Sequence, residues 1–132
     1  MNHIEQLYLQ IIHNTCTQTS SNITISQDVS ISLINLAQTQ SSLPFLLPYI
    51  KDSSLLTNIK YKTKLMMLNY YQIEQFTRRI ADLFDANNIS YILLKGISLA
   101  AFYPVPEYRQ LGDVDIYIND KEMFNRANAL LL

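Results

Sequence analysis

Glycine and proline are scarce in this chain, two and four among 132 residues, and they are the residues that punctuate tight turns. A many-stranded β architecture needs such a signal roughly every 8–12 residues, so the shortage favours long helices over a β sandwich or barrel. Cysteine is scarcer still. Cys16 alone excludes an intrachain disulfide, and its nearest metal-type companions, His3 and His13, do not stand at a zinc spacing, which leaves it a structural residue. Charge of one sign is lacking too: ten Lys and Arg face eleven Asp and Glu, for a net charge of −1. No global field then draws the protein onto nucleic acid or an anionic membrane. Lys60, Lys62 and Lys64 are the nearest approach to a basic stripe, and their alternate spacing scatters them around a helix. After Met1 there is no basic region followed by an apolar run, as a secretory signal would require. No apolar stretch approaches the roughly 20 residues of a membrane span. A cytoplasmic protein with neither a membrane nor a nucleic-acid partner is expected.

What is present suits one compact domain with a modest core: 48% of the residues are hydrophobic and 16% charged. Ile4, Leu7, Tyr8, Ile11 and Ile12 recur at helical spacing over His3 to His13, and the polar stretch from Thr15 ends that helix. Thr17 to Asn22 reads as a loop. Ser26 or Asp28 can cap a second helix carrying Val29, Ile31, Leu33, Ile34 and Leu36, although the alternation after Ile23 and Ile25 also fits a strand. Pro44 and Pro48 bracket Phe45-Leu46-Leu47 as a short docking turn or a broken helix. From Leu55 to Asn87 a long helix is expected, with Asn87-Asn88 at its end because asparagine tolerates the left-handed conformation there.

At Asn88 the period changes. Ser90-Tyr91-Ile92-Leu93-Leu94 is short and apolar enough for a buried strand. Gly96 follows, then a helix over Ile97 to Tyr103 that Pro104 stops, so Lys95-Gly96 forms a strand-to-helix turn. Pro104 to Gly112 is a loop, Val114 to Ile118 a second strand, and Asn119-Asp120 the cap of a last helix from Lys121 to Leu132. The fold class is therefore α+β, with a helical amino-terminal region, residues 1–88, packed on a small α/β unit, residues 89–132.

Asp113 and Asp115 stand two apart at the start of that second strand, so alternation places both carboxylates on one face and Val114 and Ile116 on the other. Like charges so close raise one another's pKa unless a cation lies between them, and magnesium is the usual hard-ion solution. By itself an Asp-x-Asp reads first as a turn residue followed by a solvated strand residue. Its surroundings change that. A strand, a glycine at the strand-to-helix turn, a helix, a loop with Arg109 and then the Asp-x-Asp strand is the order in which the nucleotidyltransferase superfamily builds its site. Leu93 to Pro104, followed by Tyr108-Arg109-Gln110-Leu111-Gly112-Asp113-Val114-Asp115-Ile116, closely resembles an uncharacterised bacterial nucleotidyltransferase family. The likeness runs from about Ile89 to Ile118; the segment before it is similar to that family only in being helical.

The resemblance implies that Gly96 lets the backbone approach a nucleoside triphosphate while amides at the following helix start cradle its phosphates. Lys95 and Arg109 would add positive charge, with Ser98 as a further phosphate contact. Asp113 and Asp115 would hold one or two magnesium or manganese ions and carry catalysis, transferring a nucleotidyl group to an acceptor hydroxyl of unidentified class. The sequence departs from the superfamily's usual Gly-Ser or Gly-Gly pair, since Ile97 separates Gly96 from Ser98. A third carboxylate, normally carried by a later strand, is not found before Leu132, so an incomplete core with feeble activity is expected. The competing expectation is a catalytically incomplete nucleotide-binding or interaction module built on the helices that carry Tyr61, Tyr70, Tyr71, Phe76 and Phe84. Aromatics at helical spacing read first as core. An unfinished sheet would also offer an open edge through which two copies could associate.

Overall fold

The computed structural model describes residues 1–20 and 22–132; the part of the expected Thr17 to Asn22 loop that falls on Ser21 lies outside the described residues. The first helix, α1 (His3–Thr17), opens on a reciprocal cap in which Asn2 accepts from the Glu5 amide and the Glu5 carboxylate accepts from the Asn2 amide. It runs past the polar Thr15, where the sequence expectation ended it, because Thr15 and Thr17 turn their hydroxyls onto the carbonyls of Ile11 and His13, one turn back. The second segment is a helix and not a strand: α2 (Gln27–Thr39) starts after Ser26 with Asp28 in its first turn. Leu43–Leu46 forms a 3-10 turn, all four residues buried. Asp52 then caps α3 (Ser53–Ala86), accepting from the amides of Ser54 and Leu55.

With only two glycines in the chain, the left-handed residue that closes each long helix is something else: Gln18 after α1, Ser41 after α2 and Asn88 after α3, with φ of 54°, 53° and 53°. In each case the next amide reaches back five residues, Thr19 to Asn14, Ser42 to Ala37 and Ile89 to Phe84, the wrap that satisfies orphan carbonyls at a helix end.

Two apolar clusters share α3. Ile11, Leu33, Ala37, Leu43, Leu46, Ile50 and Ile59 unite α1, α2, the 3-10 turn and the start of α3. At the other end Ile80, Phe84, Ile89 and Ala127 join α3 to α5 (Lys121–Leu131), whose first turn is capped by the Asp120 carboxylate on the Met123 amide. At about 1.5 Å per residue the 34 residues of α3 span roughly 50 Å, so the middle of that helix is free to hold something other than a core.

It holds the segment that leads to Asp113. Asn69 on α3 donates to the Leu111 carbonyl at 2.6 Å, and the Tyr71 hydroxyl donates to Glu107 at 2.7 Å. From the 3-10 turn, Phe45 meets the rings of Tyr103 and Tyr108, both at 6.1 Å between centroids. The expected loop is thus pinned from two sides and folds a 3-10 turn of its own, Pro106–Tyr108.

The sheet has two antiparallel strands, β1 (Ile92–Leu94) and β2 (Asp115–Tyr117), paired Ile92 to Tyr117, Leu93 to Ile116 and Leu94 to Asp115. Both are shorter than expected: Ser90 and Tyr91 precede the ladder, and Asp113, Val114 and Ile118 lie outside it. The helix expected from Ile97 to Tyr103 is one turn, α4 (Ile97–Ala100). Of the aromatics on α3, Phe84 is core, whereas Tyr61, Tyr71 and Phe76 are 64%, 43% and 55% exposed. The reading of helically spaced aromatics as core fails for those three, which lie between the two ends of α3 that the apolar clusters cover.

Candidate functional site

The ladder register decides which groups meet. With Leu94 opposite Asp115, continuing the pairing outward sets Gly96 opposite Asp113, and the two backbones do approach: a Cβ built on Gly96 would stand 3.5 Å from the Asp113 carbonyl oxygen. The turn at this point is sharp. Lys95 and Gly96 have consecutive positive φ values of 21° and 51°, and Gly96 with ψ of −112° sits where a side chain is poorly tolerated. The turn is closed by the amides of Ser98 and Leu99 on the carbonyls of Lys95 and Gly96.

From this turn the Lys95 ammonium reaches the Asp115 carboxylate, 2.9 Å from Nζ to Oδ2. The hydrogen bond to Asp115, then the charges of Asp115 and Asp113, hold the Lys95 ammonium above the usual lysine range. The cation that two neighbouring carboxylates call for is therefore supplied in part by the chain itself. Asp115 is half-buried and Asp113 exposed. β2 begins at Asp115, so Asp113 precedes the strand in which it was expected; what associates Asp113 with Asp115 is their common proximity to Lys95 and the turn.

Arg109 is not a solvated loop cation. Its Nε donates to the Gly96 carbonyl at 3.0 Å and its Nη1 to the Tyr103 hydroxyl at 3.1 Å, with the guanidinium 5.5 Å from the Tyr103 ring centroid. The residue braces the turn from below. Ser98 is engaged as well, its hydroxyl donating to the Leu93 carbonyl at 3.2 Å, so its proton is committed to holding α4 against β1. Since α4 has four residues, the helix dipole expected to favour phosphate there is slight.

Lys95, Gly96, Arg109, Asp113 and Asp115 are thus brought to one end of the two-stranded sheet, with Ser98 beside them. Among the described residues no three His, Cys, Asp or Glu side chains gather closely enough to hold a metal ion. A family model described as an uncharacterised nucleotidyltransferase matches residues 32–132. The chain belongs to that family. No curated protein and no solved structure gives a significant match. The nucleotidyltransferase match reaches well beyond the stretch from Ile89 to Ile118 on which the likeness was read, taking in most of α2, the 3-10 turn and all of α3. The part outside it is α1, the connection into α2 and the first five residues of α2. Apolar helical periodicity is common to unrelated proteins, which is why the helical segment carried no family signal by inspection.

Tyr103, Asn69, Tyr71 and Glu107 were not marked by the sequence as parts of this site. Asn69 and Leu111 are 42 residues apart and Tyr71 and Glu107 are 36 apart, so local spacing carries no trace of either contact. The pairing of an arginine with an aromatic six residues earlier, Tyr103 and Arg109, is the one signal that local reading could have used.

Proposed function

We propose that this chain carries the phosphate-handling part of a magnesium-dependent nucleotidyltransferase, which moves a nucleotidyl group from a nucleoside triphosphate to an acceptor hydroxyl. The reading rests above all on the ion pair of Lys95 with Asp115, because it joins the glycine turn to the Asp-x-Asp segment through charge. The donor set suits a hard divalent ion: magnesium is commonly held by one or two carboxylates, with water and phosphate oxygens completing its shell. Asp113, exposed, and Asp115, half-buried, would hold it once Lys95 has withdrawn. When bound, magnesium or manganese supplies charge neutralisation on the phosphates during transfer.

The residues of the chain divide the remaining work. Lys95, released from Asp115, is long enough to follow the negative charge onto a phosphate oxygen. Gly96 keeps the turn open to close approach, and Arg109 fixes its carbonyl. A Ser98 contact to phosphate would require its hydroxyl to leave Leu93. In the transfer the acceptor oxygen attacks the α-phosphorus and the bond from that phosphorus to the bridging oxygen breaks. Pyrophosphate leaves with the electron pair, and the acceptor proton passes to water or to a base beyond the two aspartates. No helix is long and apolar enough to cross a membrane, and the cytoplasm, where nucleoside triphosphates and magnesium abound, is the compartment that suits this chemistry.

A second reading, a nucleotide-binding or interaction module that does not turn over, is favoured by the lack of a third ligand among the described residues. The exposed Tyr61, Leu65, Leu68 and Phe76 on α3 and the open strand edges would then serve a partner or a second copy. Replacing Asp113 and Asp115 together by Asn tests what both readings share. Titration calorimetry with magnesium and each nucleoside triphosphate should show binding to the parent chain and none to the double variant, with the helical circular dichroism unchanged. Equal binding by the two proteins would remove the metal assignment.

A further inference from the structure

Directly before Asp113 the chain borders a cleft of about 370 Å³ that no step of the proposed transfer uses; it lies between the end of α2, at Gln40 and Ser41, and the segment Arg109 to Gly112, with Tyr103 in its wall. Its volume lies at the small end of the range of about 300–1,000 Å³ seen for ligand pockets, which suits part of a nucleotide or a small acceptor. Every residue lining it falls within the family match, although the two sides of the cleft are some sixty positions apart in sequence.

The lining has a definite chemistry. Arg109 is half-buried, yet among the described residues the ion pairs are Arg78 with Glu74 and Lys95 with Asp115, and Arg109 is in neither. Its two bonded partners, the Gly96 carbonyl and the Tyr103 hydroxyl, are neutral, while the neighbouring Glu107 accepts from Tyr71. A guanidinium has five donors, so positive charge and unused N–H groups remain for an anion. Gln40, Ser41 and Gln110 line the same cleft, and their side-chain amides and hydroxyl can each both donate and accept. Aromatic stacking is poorly served: the Tyr103 ring is already engaged by Phe45, stacked at 29°, and by Arg109. Ser41 takes the left-handed conformation with φ of 53°, which carries the chain from α2 sharply round at the cleft edge. Gly112 has nothing within 4 Å of where a side chain would begin, so the backbone beside Asp113 is open.

We infer that this cleft seats a phosphorylated polyol, its phosphate on Arg109 and its hydroxyls on Gln40, Ser41 and Gln110. That chemistry belongs to the sugar–phosphate portion of the nucleotide or to a sugar-phosphate acceptor, and the cleft extends to Gly112, the residue before Asp113. The inference rests on the nucleotidyltransferase reading for its meaning, but binding in the cleft needs neither aspartate.

The test is amide and side-chain NMR of the full chain titrated with ribose 5-phosphate and glucose 1-phosphate, with inorganic phosphate and free ribose as controls, first without magnesium. A sugar phosphate should shift the signals of Gln40, Ser41, Gln110 and Gly112 and bind at least tenfold more tightly than inorganic phosphate. Gln110→Glu, on an exposed side chain, should weaken that binding at least tenfold through charge repulsion, and Gln40→Ala should weaken it less. The Asp113→Asn/Asp115→Asn protein should bind the sugar phosphate as the parent does, so loss of magnesium-nucleotide binding alone would count against the proposed function and leave the cleft standing. If a nucleoside triphosphate with magnesium shifts the same four residues and excludes the sugar phosphate, the ligand is the nucleotide's own sugar; if both bind together, it is the acceptor. Inorganic phosphate binding as well as either sugar phosphate, or no shift at these residues, would overturn the inference.

Discussion

Lys95 and Asp115 meet at 2.9 Å across the end of the ladder, and the lysine does so from a turn whose φ of 21° few non-glycine residues adopt. An ammonium in that position competes with any metal for Asp115, yet the same ammonium would assist a triphosphate. Lys95→Ala should therefore shift two affinities in opposite directions: magnesium alone should bind the variant more tightly, and the magnesium complex of a nucleoside triphosphate less tightly, each by about threefold to tenfold. Calorimetric titrations with and without nucleotide read both signs. Affinities that fall together would mean that Lys95 orders the site instead of competing within it.

The pH dependence of that pair has a definite sign. Its lysine is held above the ordinary value, first by the hydrogen bond to Asp115 and then by the charges of Asp115 and Asp113. A group whose folded-state pKa is raised contributes stability that is complete below its unfolded value and disappears as pH rises through the folded one. The Lys95 contribution should therefore be constant through neutral pH and vanish only above about 10.4, the ordinary lysine value. Thermal melts of the parent and Lys95→Met should differ by the same amount at pH 6 and pH 8. A difference that changes between those two pH values would place another titrating group in the pair.

Gly96 and Gly112 make a matched contrast. At Gly96 an added Cβ would find ordinary contact, 3.5 Å from the Asp113 carbonyl, so the obstacle to Gly96→Ala is the backbone, with φ of 51° and ψ of −112°. Forcing a side chain into such a region costs about 1–3 kcal/mol, and the turn that presents Lys95 should relax. Gly112→Ala meets open space and should change stability by no more than about 0.5 kcal/mol. Chemical denaturation of the two variants measures the difference directly, and equal stabilities would show the Gly96 turn to be unstrained.

The long elements were legible because their physics is local. The apolar repeat of α3 and the asparagine at its end fix a 34-residue helix to within two residues of where it is found, and Asp120 announces α5 in the same way. The short elements were not, since their limits are set by partners distant in sequence. β2 stops at Tyr117 and begins only at Asp115 because β1 offers three residues to pair with, and α4 ends after one turn because Tyr103 is drawn to Arg109 and Phe45. Residue types and order singled out Lys95, Gly96, Arg109, Asp113 and Asp115, which the fold brings together, but not that Lys95 would already pair with Asp115 or that Arg109 would bond the Gly96 carbonyl.

The shortage of glycine has a measurable cost. Gln18 closes α1 in the left-handed conformation, φ 54° and ψ 31°, with its amide on the carbonyls of Asn14 and Thr15. For an ordinary residue that conformation costs about 1–2 kcal/mol, a penalty glycine largely escapes. Gln18→Gly should stabilise the protein by about 1 kcal/mol, with the midpoint of thermal unfolding rising by roughly 2–8 °C. Gln18→Val, β-branched at the same place, should lower it. A glycine variant no more stable than the parent would mean that the α1 terminus frays before the rest of the chain unfolds.

Catalysis by this 132-residue chain is expected to be slow even where nucleotide binding is not. Transfer of a phosphoryl-type group depends on positioning and on metal charge, and a carboxylate missing from the metal shell misplaces the ion. The described residues bring two aspartates and a lysine to the turn and no third ligand. Both aspartates would be committed to the cation, which lowers their basicity, so neither is suited to take the proton of the incoming hydroxyl. Turnover should then lie orders of magnitude below that of a site with three carboxylates, and manganese, less demanding in its geometry, should support more of it than magnesium. A second copy docked on an open strand edge could supply the missing group, in which case the rate per chain would rise with protein concentration. Incubation with labelled nucleoside triphosphates, either metal and a protein lysate, repeated over a hundredfold range of chain concentration, distinguishes these outcomes. Robust, concentration-independent transfer by a monomer would show that two aspartates suffice here.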